Sequence, residues 1–449
     1  MIWDQNILRS RFCNALSEMY KSEVPLYGNL IDVVWEADAK TVQDSQKLGV
    51  LQAIDPDDVL PSRHRVERHG AIRLGTAYEL ATIRRMFAVM GMYPVGYYDL
   101  SLAGFPMHAT AFRPKTQEAL ARNPFRVFTT VLRMELLTEK TRNLAQRALE
   151  QRDIFPPRLL ELLDHAETKG GLTPEECTEF IANGLETFRW HSKATVSLDE
   201  YKILKAEHPL IADIVSFPSS HINHLTPRTI DIDLVRRLML DHEETVYFRD
   251  TSDTYIKGSH TARFGEVEQR GYALTREGRQ LYDRILNRVN AEATMQGITG
   301  ANYDKLLAEH FEAFPDTLSA LHDKNLAYFC YGLTPTGERI ANDSTSAAVE
   351  LGDSTVSISQ LLKKDIVMYE PLTYEDFLPL SAGGIFNSNL GNGYESQSKQ
   401  LIMNADPDLD DFQRCLGTHV ADEFHLYAEI QKESLESCRV QLQLKEVTL

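Results

Sequence analysis

The sequence lacks several features that mark common protein classes. Its five cysteines are scattered without a CxxC pair (Cys13, Cys177, Cys330, Cys415 and Cys438), which removes a zinc-finger interpretation and fits a reducing cytoplasm. No uncharged stretch approaches the ~20 apolar residues of a membrane span. The segment 1–6 has neither the basic start nor the apolar run of a secretory signal. We therefore expect a soluble, cytoplasmic protein.

A positive charge excess is also missing. The formal net charge is -18, which argues against broad binding to nucleic acid or anionic membranes. No GxGxxG, P-loop or GxSxG motif occurs, so nucleotide-binding and serine-hydrolase functions lack support. The composition, with 43% hydrophobic and 25% charged residues, is ordinary for a globular protein. The length of 449 residues is enough for two or three domains.

The apolar pattern predicts a strand–helix–strand–strand order twice within one enzyme unit that spans the chain. The first metal-binding unit, residues 60–114, contains predicted elements at 66–74, 76–90, 95–100 and 108–113. The second, residues 211–275, contains predicted elements at 214–225, 229–240, 245–249 and 261–274. The repetition predicts two similar halves of one sheet.

Helical sequence surrounds the two units. Residues 115–210 are predicted to be a helical insertion, with one helix over 132–147 and another that begins at the capping sequence Thr173-Pro174-Glu175-Glu176. Residues 276–449 are predicted to contain further helices and a loop at 378–390.

Two histidines and one carboxylate, each on a predicted strand, are candidates for a reactive site. His69 and His224 each lie about six residues before a predicted helix, and an arginine follows each by four positions (Arg73 and Arg228). This repetition indicates a diverged duplication and favours His224 over His221 as the partner of His69. Two histidines and a carboxylate form a metal face that leaves positions open for substrate and dioxygen.

The carboxylate of this set is Glu266 or Glu268, which share one strand face because they are two residues apart. A carboxylate on an apolar inner strand is costly unless it is paired or metal-bound. His221 could orient His224 or be an ordinary core histidine. The residues alone leave both choices open.

Arg73 is the candidate for binding an anionic substrate. It lies on the same side of the chain as His69, and its planar guanidinium matches a carboxylate in a bidentate pair. The competing interpretation is a surface strand with solvated charges, because Glu67 and Arg68 flank His69.

At these residues the sequence resembles a known family. The strand–helix–strand–strand units resemble the vicinal oxygen chelate superfamily, and 264–270 (FGEVEQR) is similar to the closing motif of hydroxyphenylpyruvate dioxygenases. More specifically, the chain resembles the 2-oxoadipate dioxygenase/decarboxylase family. The matching stretches span most of the chain: 68–73, 110–114, 223–228, 260–275 and 377–390.

This resemblance implies an α+β fold with a vicinal oxygen chelate-like central sheet or half-barrel and large helical insertions. The resemblance implies that Fe(2+) is bound by His69, His224 and Glu266. It also implies that the substrate is bound by Arg73, Leu380 and Ser381.

The implied reaction converts 2-oxoadipate and dioxygen into 2-hydroxyglutarate and carbon dioxide, a step of lysine catabolism. The partners would be a small 2-oxo dicarboxylic acid and O2, without nucleic acid or membrane. Two alternatives stay open. One is a lyase, isomerase or hydrolase that uses another metal on a small oxo acid. The other is a noncatalytic protein that binds a small acid.

Overall fold

The computed structural model describes residues 2–46, 63–241, 248–249, 255–256, 267–298, 301–342, 355–377 and 408–448. The chain divides into two compact units, Met1–Arg270 with Glu375–Ala421, and Gly271–Tyr374 with Asp422–Leu449. None of the described helices combines the length and the apolarity that crossing a bilayer requires.

The first unit contains helices and a sheet, numbered here in chain order. Its strands are β1 (Arg68–Leu74), β2 (Tyr93–Asp99), β3 (Met107–Arg113), β4 (Arg126–Leu132), β5 (Leu225–Thr229), β6 (Phe248–Arg249), β7 (Tyr255–Ile256) and β8 (Glu268–Gln269). Its helices are α1 (Gln5–Glu23), α2 (Leu26–Gln46), α3 (Arg63–Val66), α4 (Ala77–Val89), α5 (Gln117–Arg122), α6 (Glu139–Glu150), α7 (Pro157–Lys169), α8 (Pro174–Phe188), α9 (Leu198–Glu207), α10 (Pro209–Val215), α11 (Ile232–Asp241) and α17 (Leu409–Leu416). Leu100–Ala103 and Met134–Leu136 are short 3-10 helices.

Six of these strands form one mixed sheet in the order β2-β3-β4-β1-β5-β8. The pairs β2–β3, β3–β4 and β1–β5 are antiparallel, whereas β1–β4 and β5–β8 are parallel. The sheet is curled into a half-barrel. The predicted α+β class with a vicinal oxygen chelate-like half-barrel is therefore confirmed.

Strand β1 is buried along its whole length, so the interpretation of this segment as a surface strand is wrong. Ile72 and Leu74 belong to the larger hydrophobic core of the unit, together with Leu80 of α4. Ala71 and Phe128 belong to a second core. Because alternate residues of a strand point to opposite faces, both faces of the sheet are covered and polar groups at its centre are shielded from water.

The first predicted strand–helix–strand–strand unit is confirmed as β1, α4, β2 and β3. Thr76 caps α4 as expected, since its side chain accepts a hydrogen bond from the backbone N–H of Glu79. The capping box predicted at Thr173 and Glu176 is also present at the start of α8.

Residues 115–210, predicted to be a helical insertion, also contain the strand β4, which the prediction does not include. Residues 126–132 (RVFTTVL) form a central strand between β3 and β1, so the helix predicted to start at Leu132 begins at Glu139 instead. The β-branched and aromatic residues of this run are typical of a buried strand. A short apolar run does not distinguish strand from helix by periodicity alone.

The strand predicted over 214–225 is also wrong. Residues Pro209–Val215 form α10, which Pro209 begins and whose first turn the His208 side chain caps, and the chain becomes a strand only at Leu225. In the rest of the second predicted unit, α11 follows β5. Strands β6 and β7 pair with each other in a separate two-stranded sheet, and β8 joins the large sheet. Residues 261–266 lie outside the described residues.

The second unit contains the strands β9 (Phe329–Leu333), β10 (Val356–Ser357), β11 (Val367–Pro371) and β12 (Val447–Thr448). Its helices are α12 (Arg276–Gln296), α13 (Ala301–Phe311), α14 (Leu318–Asp323), α15 (Pro335–Asn342), α16 (Ile358–Lys363) and α18 (Glu423–Gln441). Strands β9 and β11 pair antiparallel. Two side chains of α18 accept hydrogen bonds from the backbone of β9, Gln431 from Phe329 and Ser434 from Tyr331. The helix therefore covers an edge of this small sheet.

Candidate functional site

Two histidines meet where β1 and β5 pair. His69 lies opposite Thr226 in the antiparallel register, and His224 immediately precedes β5. Their ring centroids are 5.3 Å apart with the planes nearly perpendicular. Both residues are buried, and the Nε2 atom of His224 has no hydrogen-bond partner among the described residues. The structure thus brings together the two histidines that the sequence predicts.

Burial favours the neutral form of both histidines. Burial lowers the pKa of His69, and the nearby Glu268 carboxylate offsets only part of this shift. Burial also holds the pKa of His224 well below its usual value, and the neighbouring His69 and Arg73 lower it further. A neutral imidazole is the form that binds a metal ion, so the pair is prepared for coordination.

Glu268 lies beside this histidine pair. Its Oε2 atom is 3.3 Å from Nδ1 of His69 and 2.7 Å from Nε of Arg228, and it also accepts a hydrogen bond from Arg126. Burial alone would raise the pKa of Glu268, but the guanidinium groups of Arg126 and Arg228 hold it well below the usual range. Glu268 is therefore a fixed negative charge next to His69.

The carboxylate predicted as the third ligand, Glu266, lies outside the described residues. Within the described part of the chain, no group of three or more His, Cys, Asp and Glu side chains is arranged to hold a metal ion. The prediction for Glu266 therefore stays a prediction, as do those for Leu380 and Ser381, which also lie outside the described residues.

Arg126 of β4 is a site residue that the sequence analysis missed. The parallel register places it beside His69, and its Nη2 atom lies 3.4 Å from Nδ1 of His69. Its guanidinium carbon lies 4.7 Å from the ring centroid of Phe377. The sequence signal for Arg126 is the strand-forming run 126–132, in which Arg126 is the first residue and carries the single charge.

A buried ion network surrounds Arg228. Its Nη1 atom is 2.9 Å from Oε2 of Glu375 and 3.8 Å from Oε1 of Glu67. Glu67 pairs in turn with Arg270, and at 2.6 Å with Arg63. Arg228 is therefore held by carboxylates of the protein itself, and its role in this network is structural.

The segment Glu375–Phe377 contributes three contacts to the site. Asp376 forms a bidentate pair with Arg113 of β3, at 2.6 and 2.8 Å, and both side chains are fully buried. The ring of Phe377 packs edge-on against His69 with a centroid distance of 5.1 Å. This apolar ring shields one side of the His69 imidazole from water.

Arg73 lies four residues beyond His69 on β1. Its Nη1 atom donates to Oδ2 of Asp213 at 2.8 Å and to Oδ1 of Asn223 at 2.5 Å. His221 contacts the same carboxylate, with Nε2 3.6 Å from Oδ1 of Asp213. The structure therefore places His221 beside Asp213 and Arg73.

Comparison with known proteins connects this geometry to an enzyme family. The family model described as 2-oxoadipate dioxygenase/decarboxylase matches residues 12–245 and 241–389. The 2-oxoadipate dioxygenase/decarboxylase of Escherichia coli (strain K12) is 45% identical over 456 residues, which cover 96% of this chain and 97% of that protein. The protein of the same name from Pseudomonas putida is 43% identical over 473 residues, 97% of each.

Solved structures agree with the sequence comparison. The crystal structure of the hydroxyglutarate synthase in complex with 2-oxoadipate from Pseudomonas putida matches this fold with a TM-score of 0.81 and 40% identity over 99% of both chains. The structure described without that compound has the same TM-score and 38% identity.

Proposed function

Since the chain belongs to the 2-oxoadipate dioxygenase/decarboxylase family, we propose that it is a non-heme iron(II) enzyme. It converts 2-oxoadipate and dioxygen into 2-hydroxyglutarate and carbon dioxide. The observation that carries the proposal is the buried pair of His69 and His224, whose rings lie 5.3 Å apart and in which the Nε2 atom of His224 has no hydrogen-bond partner among the described residues.

These residues fit a metal ion. His69 and His224, with Glu266 as the predicted carboxylate, would form the two-histidine, one-carboxylate set that holds iron in oxygenases. Bound there, Fe(2+) would supply open positions where a 2-oxo acid and dioxygen can react. Oε2 of Glu268 lies 3.3 Å from Nδ1 of His69, so a proton on Nδ1 would point to this carboxylate and leave the other ring nitrogen for the metal, a common arrangement around metal-binding histidines.

Arg73 is the residue that we assign to the distal carboxylate of the substrate. A strand rises about 3.3 Å per residue, so its Cα lies roughly 13 Å along β1 from that of His69 and on the same face. A substrate attached near His69 through its 2-oxo acid end can therefore extend along the strand towards the guanidinium. The pairing of a carboxylate with this buried arginine favours a dicarboxylate over a monocarboxylate.

The proposal is tested by dioxygen consumption after anaerobic loading with iron(II). We expect uptake on addition of 2-oxoadipate, matched by carbon dioxide and 2-hydroxyglutarate, and much less uptake with 2-oxoglutarate or hydroxyphenylpyruvate. His69→Ala and Glu266→Ala should lose both iron and turnover, whereas Arg73→Ala should keep iron and lose substrate selectivity.

Two results would overturn this proposal. Turnover by a metal-free His69→Ala variant would show that the histidine pair is not the reactive centre. The absence of dioxygen uptake with every 2-oxo acid, despite bound iron, would instead favour an oxygen-independent metal enzyme on the same scaffold.

A further inference from the structure

Two polar side chains from different parts of the chain hold the guanidinium of Arg73. Asn223 accepts from Nη1 at 2.5 Å, and its own backbone N–H donates to the carbonyl oxygen of Ala71 at 2.9 Å. Asn223 is thereby fixed to β1 itself. Asp213 accepts from the same Nη1 atom at 2.8 Å, and it belongs to α10, far from β1 in the sequence. The guanidinium lies between these two acceptors.

The surroundings of Asp213 fix the direction of its carboxylate. Its side chain is 27% exposed, and helix α10 is anchored by the buried residues Ile211, Ala212 and Ile214. Nε2 of His221 lies 3.6 Å from its second oxygen, Oδ1. The His221 ring in turn packs edge-on against Phe217, with a centroid distance of 6.2 Å. Each oxygen of Asp213 therefore faces a nitrogen of the site.

We propose that Asp213 is a positioning residue, which holds the Arg73 guanidinium in the orientation that receives the distal carboxylate of the substrate. This inference rests on the proposed function, because it concerns the same substrate. It assigns a role to the last turn of the helical block before β5, namely to provide one side of the dicarboxylate-binding end of the site.

The physical reason is the length and freedom of an arginine side chain. Several rotatable bonds separate the guanidinium from the strand, and ordering them on substrate binding would cost conformational entropy. A guanidinium that Asp213 and Asn223 already hold is preorganised, so less affinity is lost when the substrate binds. The effect concerns binding of the distal carboxylate and not the chemistry at the 2-oxo end, so it should affect KM more than kcat.

The test compares Asp213→Ala with Asp213→Asn in the iron-loaded, full-length protein. Loss of a hydrogen bond to a charged group should raise KM for 2-oxoadipate roughly tenfold in Asp213→Ala, with kcat within about twofold of wild type. Asp213→Asn keeps an oxygen acceptor for Nη1, so KM should stay within about threefold of wild type. Asp199→Ala is the matched control, because Asp199 lies on the adjacent helix α9 with a 91% exposed side chain.

A second ligand distinguishes positioning from a general structural role. The inhibition constant of 2-oxohexanoate, which has the same chain length but no distal carboxylate, should be the same in wild type and Asp213→Ala. An unchanged KM for 2-oxoadipate in Asp213→Ala overturns the inference. Equal weakening of both ligands, with a lower Tm, also overturns it by showing a structural effect. If wild type itself neither binds nor converts 2-oxoadipate, the proposed function fails and this inference fails with it.

Discussion

Single residues at the site combine neutral imidazoles with permanently charged neighbours. Burial lowers the pKa of both histidines and so favours their neutral forms, whereas two guanidinium groups outweigh burial at Glu268, lower its pKa and favour its ionised form. This contrast within a few ångströms is what a metal centre requires, since the ligand nitrogen must be unprotonated and its partner must accept a hydrogen bond.

The role of Glu268 leads to a prediction about iron affinity. Glu268→Gln removes the negative charge beside Nδ1 of His69, so we expect iron(II) to bind about 10–100-fold more weakly, as measured by anaerobic titration. Glu266→Gln should have a larger effect because it changes the predicted ligand itself. Glu118→Gln, at a side chain that is 74% exposed, is the control. Wild-type affinity in Glu268→Gln would show that Glu268 does not orient His69.

Glu67 gives a prediction about pH and stability. Burial alone would raise its pKa, but Arg228, Arg270 and Arg63 outweigh burial and lower it from 4.5 to about 2. A lowered pKa in the folded state stabilises the protein fully above about pH 4.5, and this stabilisation is lost as the pH falls towards 2. Between pH 5 and pH 3 the loss from this one group is about 2 kcal/mol.

The corresponding measurement is urea unfolding of wild type and Glu67→Gln between pH 3 and pH 7. The variant lacks the titrating group, so its free energy of unfolding should fall less steeply with acid than that of wild type. Parallel pH profiles for the two proteins would contradict the assignment of this shift to Glu67.

The site residues that the sequence predicts are those whose spacing to neighbouring features occurs twice in the chain. His69 and His224 share a spacing to a helix and to an arginine, which made them recognisable without the fold. Arg126 and Glu375 have no such repetition, and they reach the site only because the chain pairs β4 with β1 and returns to the first unit after residue 374. Their roles depend on long-range contacts that no local pattern contains.

At the scale of elements, the best predictions concern helices with explicit start signals. Thr76 and Thr173 both cap the helices expected from them. The sequence analysis does not predict strand β4, because a run of seven residues with only four apolar side chains is too short for its periodicity to distinguish a strand from a helix. The strand predicted over 214–225 failed for the opposite reason, since Pro209 starts a short helix where apolar residues suggested extension.

The start of α12 in the second unit gives a prediction at this scale. A Cβ atom built on Gly278 would lie 2.0 Å from the carbonyl oxygen of Leu326, so Gly278→Ala must move backbone. We expect a loss of about 1–3 kcal/mol in the free energy of unfolding. Gly271→Ala is the control, because no described atom lies within 4 Å of its built Cβ. Equal unfolding midpoints for the two variants would contradict this close packing.

On the scale of the whole molecule, the α+β half-barrel was implied by the resemblance of the strand–helix–strand–strand order to the vicinal oxygen chelate superfamily. The division of the chain into two compact units could not be predicted from the sequence, because the first unit contains two separate stretches of chain, Met1–Arg270 and Glu375–Ala421. Sequence patterns report local periodicity, whereas such a division depends on which distant segments pack together.

Asp376 shows how strongly the second stretch is attached to the first. Its pair with Arg113 is fully buried, so Asp376→Ala leaves an uncompensated charge in the core and should cost about 3–5 kcal/mol. Urea unfolding followed by tryptophan fluorescence measures this, and the exposed Asp410→Ala on α17 is the control. A loss below about 1 kcal/mol would mean that water reaches Arg113.

The bond between Arg113 and Asp376 spans 263 positions of the chain, and this sets the order of events during synthesis. The ribosome delivers His69 and Arg113 early, but Asp376 and Phe377 emerge only after the whole intervening segment has been translated. Until then neither the buried ion pair nor the packing of Phe377 against His69 can form. A chain that ends before residue 375 should therefore leave Arg113 without Asp376 and His69 without its aromatic neighbour Phe377.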